Sequence, residues 1–437
     1  MMFYKETRFK NTEVGRIPED WKVVRLGDIA HFESGKRPKG GAKSEGEVLS
    51  IGGEHINDSG YLDLTNPKFI PISFYKSLRQ GILRDGDVIM CKDGAKTGKV
   101  AYIRELRSSY AAANEHVFVI RGKNLEMANN EFIFYVLFSS VGQNQVKAVF
   151  HGMVGGITGR ELYSFRVPLP PIEEQKKIAE ILSTVDKAIE KTDEIIAKTK
   201  RLKKGLMQEL LSGRVRVKVE NSKVSFYRET RFKDIEIGKI PTEWEIVKLE
   251  DIAKVFDCKH RTPKYYSEGI PVLLPRNVRE GYISLEDAPR TSYEEYLDLT
   301  EKYKPAKGDI IYTRNAKVGI AGIVSTDEKF ALGQDLIGIR PLKKIDSYYL
   351  LYVLTSSIIK EYLIKVQTGS TFKRINLSLI RKFKIPLPPL EEQQKIAEIL
   401  GMVDKKLEIE KKEKERLERI KKGLMDVLLT GKVRVKA

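Results

Sequence analysis

PLPPIEEQKKIAEILSTVD, residues 168–186, returns as PLPPLEEQQKIAEILGMVD at 386–404, identical at fifteen of nineteen positions. Each copy opens on prolines, which suit the turn before a helix but not its interior. Each continues with acidic residues favoured at a helix N-terminus, Glu173 and Glu174 or Glu391 and Glu392. Both then run without proline to KGLMQELLSG, closing at Gly213, or KGLMDVLLTG, closing at Gly431, where glycine is a natural helix stop. At 1.5 Å per residue this spacing predicts two matched helical rods, each about 60 Å long. Ile178, Leu182, Val185, Ile189 and Ile196 mark one face of the first rod, and Ile396, Leu400, Val403 and Leu407 one face of the second. These stripes are too narrow for either rod to stand alone, so the two are expected to pair as a coiled coil. Packing of each rod on its own domain is the plainer alternative.

Outward from the rods, FYKETRFKNTEVGRIPEDW (3–21) returns as FYRETRFKDIEIGKIPTEW (226–244), and RVRVK (214–218) as KVRVK (432–436). The chain is therefore two halves, each an opening segment, a globular domain, a rod and a short coda. Equal halves joined head to tail close on themselves if the rods run antiparallel, which predicts a pseudo-twofold object with its ends together. Between the repeated blocks the halves diverge. RDGDVIMCKDGAKTGKVAYI (84–103) still aligns with AKGDIIYTRNAKVGIAGIV (306–324), and ANEHVFVIR (113–121) with GQDLIGIR (333–340). These runs read as strands, and EFIFYVLFSS (131–140) and SYYLLYVLTSS (347–357) as buried helices. The fold class is α+β: two globular domains joined by two long antiparallel helices. The expected divisions are 1–171, the rod at 172–213, 214–389, and the second rod with its coda at 390–437.

The formal charge is +18. Residues 172–213 carry nine basic and eight acidic side chains and residues 390–431 ten of each, so +17 lies outside the rods. A basic excess confined to globular parts points to a polyanion, against the plainer reading of a lysine-rich solubilising surface. Neither a signal peptide nor a membrane span is legible, and a cytoplasmic location is expected. The two cysteines, Cys91 and Cys258, form no C-x-x-C pair, so neither a disulfide framework nor a zinc site is indicated. GAKTGK (94–99) is one residue short of a phosphate-binding loop and is followed by Val100 where magnesium binding needs Ser or Thr. The glycines at 152–159 lack the surroundings of a dinucleotide site, and His55, His116 and His151 are scattered. No Asn-Pro-Pro-aromatic or Asp-Pro-Pro-aromatic strip of an adenine methyltransferase is present.

Two divergent domains, each after a G-x-IP-x-x-W segment and before a PLPP-(I/L)-EEQ-(K/Q)-KIAEIL rod, resemble the specificity subunit of a type I restriction–modification system. The likeness spans essentially the whole chain, and DCKHRTP (257–263) is similar to a recurrent start of such recognition domains. It implies a non-catalytic reader whose two target recognition domains bind the halves of a bipartite, asymmetric site on double-stranded DNA. It also implies partners: methyltransferase subunits, expected as two, and restriction/translocase subunits. S-adenosylmethionine and ATP would sit on those partners, with no cofactor or metal in this chain. The expected DNA contacts are Lys36, Arg37, Lys39, Lys43, Lys92, Lys96 and Lys99 in the first half. In the second they are Lys259, His260, Arg261, Arg276, Asn277, Arg279, Arg314, Asn315, Lys317, Lys373 and Arg374. Expected docking residues at the rod starts are Glu173, Glu174, Gln175, Glu391, Glu392 and Gln393. Two rivals stay open: an enzyme with a hidden active site, and a coiled-coil adaptor with two peptide-binding domains.

Overall fold

The computed structural model describes residues 2–106, 108–150, 155–220, 223–235, 238–315, 318–367 and 375–436. Lys317, Lys373, Arg374 and His151 fall outside them, as do residues 152–154 of the glycine run at 152–159. The chain forms two compact units, Met1–Asp193 with Lys412–Ala437, and Glu194–Lys411.

In the first unit a four-stranded antiparallel sheet runs in the order Ala30–Ser34, Val117–Gly122, Val88–Cys91, Val100–Tyr102. Beside it, Val48–Ile51 pairs in parallel with Ala111–Ala113 and antiparallel with Lys68–Ile70. The second unit repeats the plan. Ala253–Asp257, Leu336–Pro341, Ile310–Thr313 and Ala321–Ile323 follow the same order, extended by Gly281–Tyr282, and Ile270–Leu273 lies between Arg290–Thr291 and Ala331–Leu332. The helices Asn130–Phe138 and Ser347–Thr355 supply buried Phe132, Phe134 and Tyr135, or Tyr349, Tyr352 and Leu354, to the two cores. Asn129 and Asp346 cap them, accepting from the amides of Phe132 and Tyr349.

The rods are Ile172–Leu211 and Leu390–Leu428. Gly213 (φ 69°) and Gly431 (φ 67°) stop the chain in the left-handed region, where an added Cβ would meet a proline ring carbon at 2.4 Å. In the first unit the rods run antiparallel: Lys421 sits 2.6 Å from Asp186, and Lys414 2.7 Å from Asp193. Ile178 and Leu182 are fully buried in one cluster with Met425 and Leu428 of the second rod, and Ile396 and Leu400 in one with Leu210 and Leu211 of the first, so the expected pairing starts inside cores that each domain shares with both rods. No helix among the described residues is long and apolar enough to cross a membrane.

Candidate nucleic-acid interface

The repeated EEQ block folds inward. Glu174 accepts from Arg434 Nε (2.7 Å) and its second terminal nitrogen (2.8 Å), and from Trp21 Nε1 (3.3 Å). Glu392 does the same with Arg216 (2.8 and 3.0 Å) and Trp244 Nε1 (3.3 Å). The codas that carry these arginines pair as strands with the opening segments: Val433–Val435 with Phe3–Lys5, and Val215–Glu220 with Lys223–Arg228. Gln175 accepts from Asn129 N and donates to Met127 O and Pro170 O. Gln393 repeats this with Asp346 N, Lys344 O and Pro388 O. All four side chains are buried, Glu174 to 4% and Glu392 to 5% exposure. They fasten rod, coda and domain together, so these four of the expected docking residues are turned inward. Glu173 and Glu391 remain exposed.

A second clasp ties each domain to both rods. Asp186 accepts from Tyr135 Oη (2.6 Å) and holds Lys421, whose ammonium also lies 4.6 Å from the Phe138 ring centre. In the other unit Tyr352 donates to Asp404 (2.8 Å), which pairs with Lys203. Burial and the neighbouring Asp186 push the Tyr135 hydroxyl far above its ordinary range, so it stays a neutral donor. Sequence inspection missed both clasps because their partners are far apart in the chain, although each recurs at one register of the repeat.

The sequence-predicted DNA contacts divide. Lys36, Lys39, Lys43, Arg276 and Arg279 point outward. Arg37 is also exposed and pairs with Glu115 at 3.3 Å. The others among the described residues are used within the fold. Lys92 donates to Ser34 Oγ, Lys96 to the carbonyls of Glu54 and Ile56, and Lys99 to Asp58. Lys259 and Arg261 both hold Asp298, and Arg261 also reaches Glu295. Arg314, only 4% exposed, contacts Asp257 and His260. Asn277 is buried, and its Oδ1 accepts from Leu274 N. Arg314 and Asn277, both expected as DNA contacts, are thus buried and bonded within the fold. Asn315 is half-buried beside Arg314.

The loop made by DCKHRTP and the segment around Arg276 enclose a cleft of about 310 Å³, lined by Arg261, Thr262, Tyr265, Leu274, Pro275, Arg276, Gln334 and Asp335. Asp335, at φ 69°, is the only non-glycine residue among those described in the left-handed region, a strain common at binding sites. Tyr265, Gln334 and Asp335 were not singled out from sequence, since a lone tyrosine or glutamine in a loop carries no periodic signal. Asp257, Cys258 and His260 approach one another closely enough for a metal. Arg314 already lies 2.8 Å from His260 Nε2 and 3.3 Å from Asp257, and its fixed positive charge opposes a cation there.

The family described as the type I restriction modification DNA specificity domain matches residues 18–201 and again 241–419. The chain is 31% identical over 450 residues to the type I restriction enzyme MjaVIII specificity subunit of Methanocaldococcus jannaschii, covering 100% of this chain and 98% of that protein. It is 24% identical over 401 residues to the EcoKI specificity subunit of Escherichia coli, covering 87% and 82%. The crystal structure of the type I restriction–modification S subunit from M. genitalium shares the fold, with TM-score 0.58 at 15% identity over 94% of this chain and 96% of that one. Matched twice by one family and aligned end to end with such a relative, the chain belongs to the type I restriction–modification DNA specificity family.

Proposed function

We infer that this chain is the non-catalytic, DNA-reading subunit of a type I restriction–modification enzyme. One observation carries the reading: the parts that close the fold repeat almost residue for residue, while the exposed loops on the repeated scaffold differ. A reader of an asymmetric bipartite site needs that division, because each domain must accept a different half-site while presenting the same surface to copies of one partner. The excess positive charge outside the rods supports a polyanionic ligand, and Lys36, Arg37, Lys39, Lys43, Arg276 and Arg279 are outward candidates for it. The nearly neutral rods, with Glu173 and Glu391 exposed at their starts, are the proposed docking surface for methyltransferase subunits, two of which fit a twice-repeated surface. A restriction/translocase subunit would join that assembly, and S-adenosylmethionine and ATP chemistry would belong to the partners. The work would be done in the cytoplasm, where the DNA is. The proposed functional divisions follow 1–171, 172–213, 214–389 and 390–437.

Selection of bound sequences from random duplexes, using the chain assembled with its methyltransferase partner, tests this. Two short motifs at a fixed separation are expected. Salt-dependent binding with no enriched sequence would overturn the reading.

A further inference from the structure

The strands Val48–Ile51 and Ile270–Leu273 each run into a single 3-10 turn, Gly53–His55 in the first unit and Pro275–Asn277 in the second. The last residue of each turn is buried and folds its side chain back onto the amide that precedes the turn. Gly52 N donates to His55 Nδ1 at 2.9 Å, and Leu274 N to Asn277 Oδ1 at 3.1 Å. His55 Nδ1 is therefore an acceptor, which leaves the proton on Nε2, 3.3 Å from Asn66 O. The carbonyls of these residues are used alike, accepting from Asp63 N (2.7 Å) and Ser284 N (2.9 Å). With the last residue committed inward, the middle residue of each turn projects outward. It is Glu54 in one unit and Arg276 in the other, both exposed. The scaffold is the same, and the charge at its tip is reversed.

The surroundings of each tip suit a replaceable partner. Arg276 opens onto the 310 Å³ cleft beside Thr262, Tyr265 and Gln334, and among the described residues its guanidinium has no side-chain hydrogen bond or ion pair. Glu54 pairs with Lys68 at 2.8 Å, but both side chains are about half exposed, and such a pair is easily exchanged for another donor. Lys96 fixes the turn beneath it by donating to the carbonyls of Glu54 and Ile56.

We propose that this tip is a specificity position in each domain: Arg276 reads a G·C pair from its guanine edge, and Glu54 reads one from its cytosine edge. The proposal rests on the DNA-reading function above. In the major groove guanine offers two adjacent acceptors, O6 and N7, which match the paired donors of a guanidinium. A carboxylate only accepts, and cytosine N4 is a donor. Adenine N6 is a donor too, but the acceptor N7 beside it faces the second carboxylate oxygen unfavourably.

The test is selection from random duplexes with the full chain and its methyltransferase partner, comparing the parent with Arg276→Gln and Glu54→Gln. Each substitution should lower binding to the parental target by about tenfold and relax one G·C position in one half-site, a different half-site for each, with the melting temperature unchanged. A loss equal for all sequences, as from a phosphate contact, or an unchanged base preference would overturn the proposal while leaving the DNA-reading function intact. A parental chain that enriches no sequence would instead sink the function on which the proposal rests.

Discussion

Glu174 and Glu392 show how far a side chain's worth depends on where the chain buries it. Each is a carboxylate out of water whose charge is met by an equally buried arginine and an indole N–H, and that arginine also holds Glu6 and Asp20 in one unit or Glu229 and Glu243 in the other. Glu174→Gln, which keeps the shape and removes the charge, should cost about 1.5 to 3 kcal/mol, the worth of hydrogen bonds to a charged group, because Arg434 keeps Glu6 and Asp20; the loss is read as a lowered denaturant midpoint. The matching Glu392→Gln should cost a similar amount because its partners are the same. The exposed neighbour Glu173→Gln should stay within about 0.5 kcal/mol of the parent. In sequence Glu173 and Glu174 look equivalent as helix-start acids. Only the identity of the group arriving from the coda, 260 residues later in the chain, distinguishes them.

At the scale of elements, buried apolar clusters and charged or aromatic contacts together hold the rods within each unit. Lys421 is almost buried against Asp186, Tyr135 and Phe138, whereas Lys203, its counterpart, meets Asp404 with roughly a quarter of its side chain in water. Lys421→Ala should therefore destabilise the chain by about 3 kcal/mol and Lys203→Ala by about 1 kcal/mol, compared by chemical unfolding of the two variants. Equal losses would mean that burial does not govern the clasp. The rods were legible in the sequence because proline, acidic first turns, a long proline-free run and a closing glycine are all local signals. The strands and the buried aromatic helices were legible for the same reason. The clasps, the internal use of Lys259, Arg261 and Arg314, and the cleft beside Arg276 were not. Each depends on which distant backbone segments become neighbours, and a basic residue bound for an internal carboxylate looks in sequence like one bound for a phosphate.

For the molecule as a whole, the pairing of Phe3 with Val435 makes the two chain ends partners within one ribbon, as Val215 and Arg228 are in the other. A circular permutant opened between Glu220 and Lys223, with the paired strands Phe3–Lys5 and Val433–Val435 joined by a short linker, should fold with nearly the same melting temperature and select the same DNA sequence, as melting and duplex selection would show. The end ribbon should also confer acid sensitivity. Asp20 is held below the ordinary carboxylate range by its hydrogen bond from Arg434. A depressed carboxylate contributes stability that is complete above its unfolded pKa, about 4, and lost as pH falls through the lower folded value. Asp20→Asn should therefore lower stability at neutral pH and flatten the decline of melting temperature on acidification. The division of the chain into units has a further consequence, for synthesis. The Glu194–Lys411 unit is contiguous, so a ribosome has synthesised all of it before Lys412–Ala437 is made. The other unit starts at the first residue yet needs Lys412–Ala437 to bring Leu428, Val435 and Arg434 to its core and to Glu174. The half translated first is thus the half completed last, and a chain cut short just after Lys411 carries every residue of the second unit behind a first one that is still unclosed.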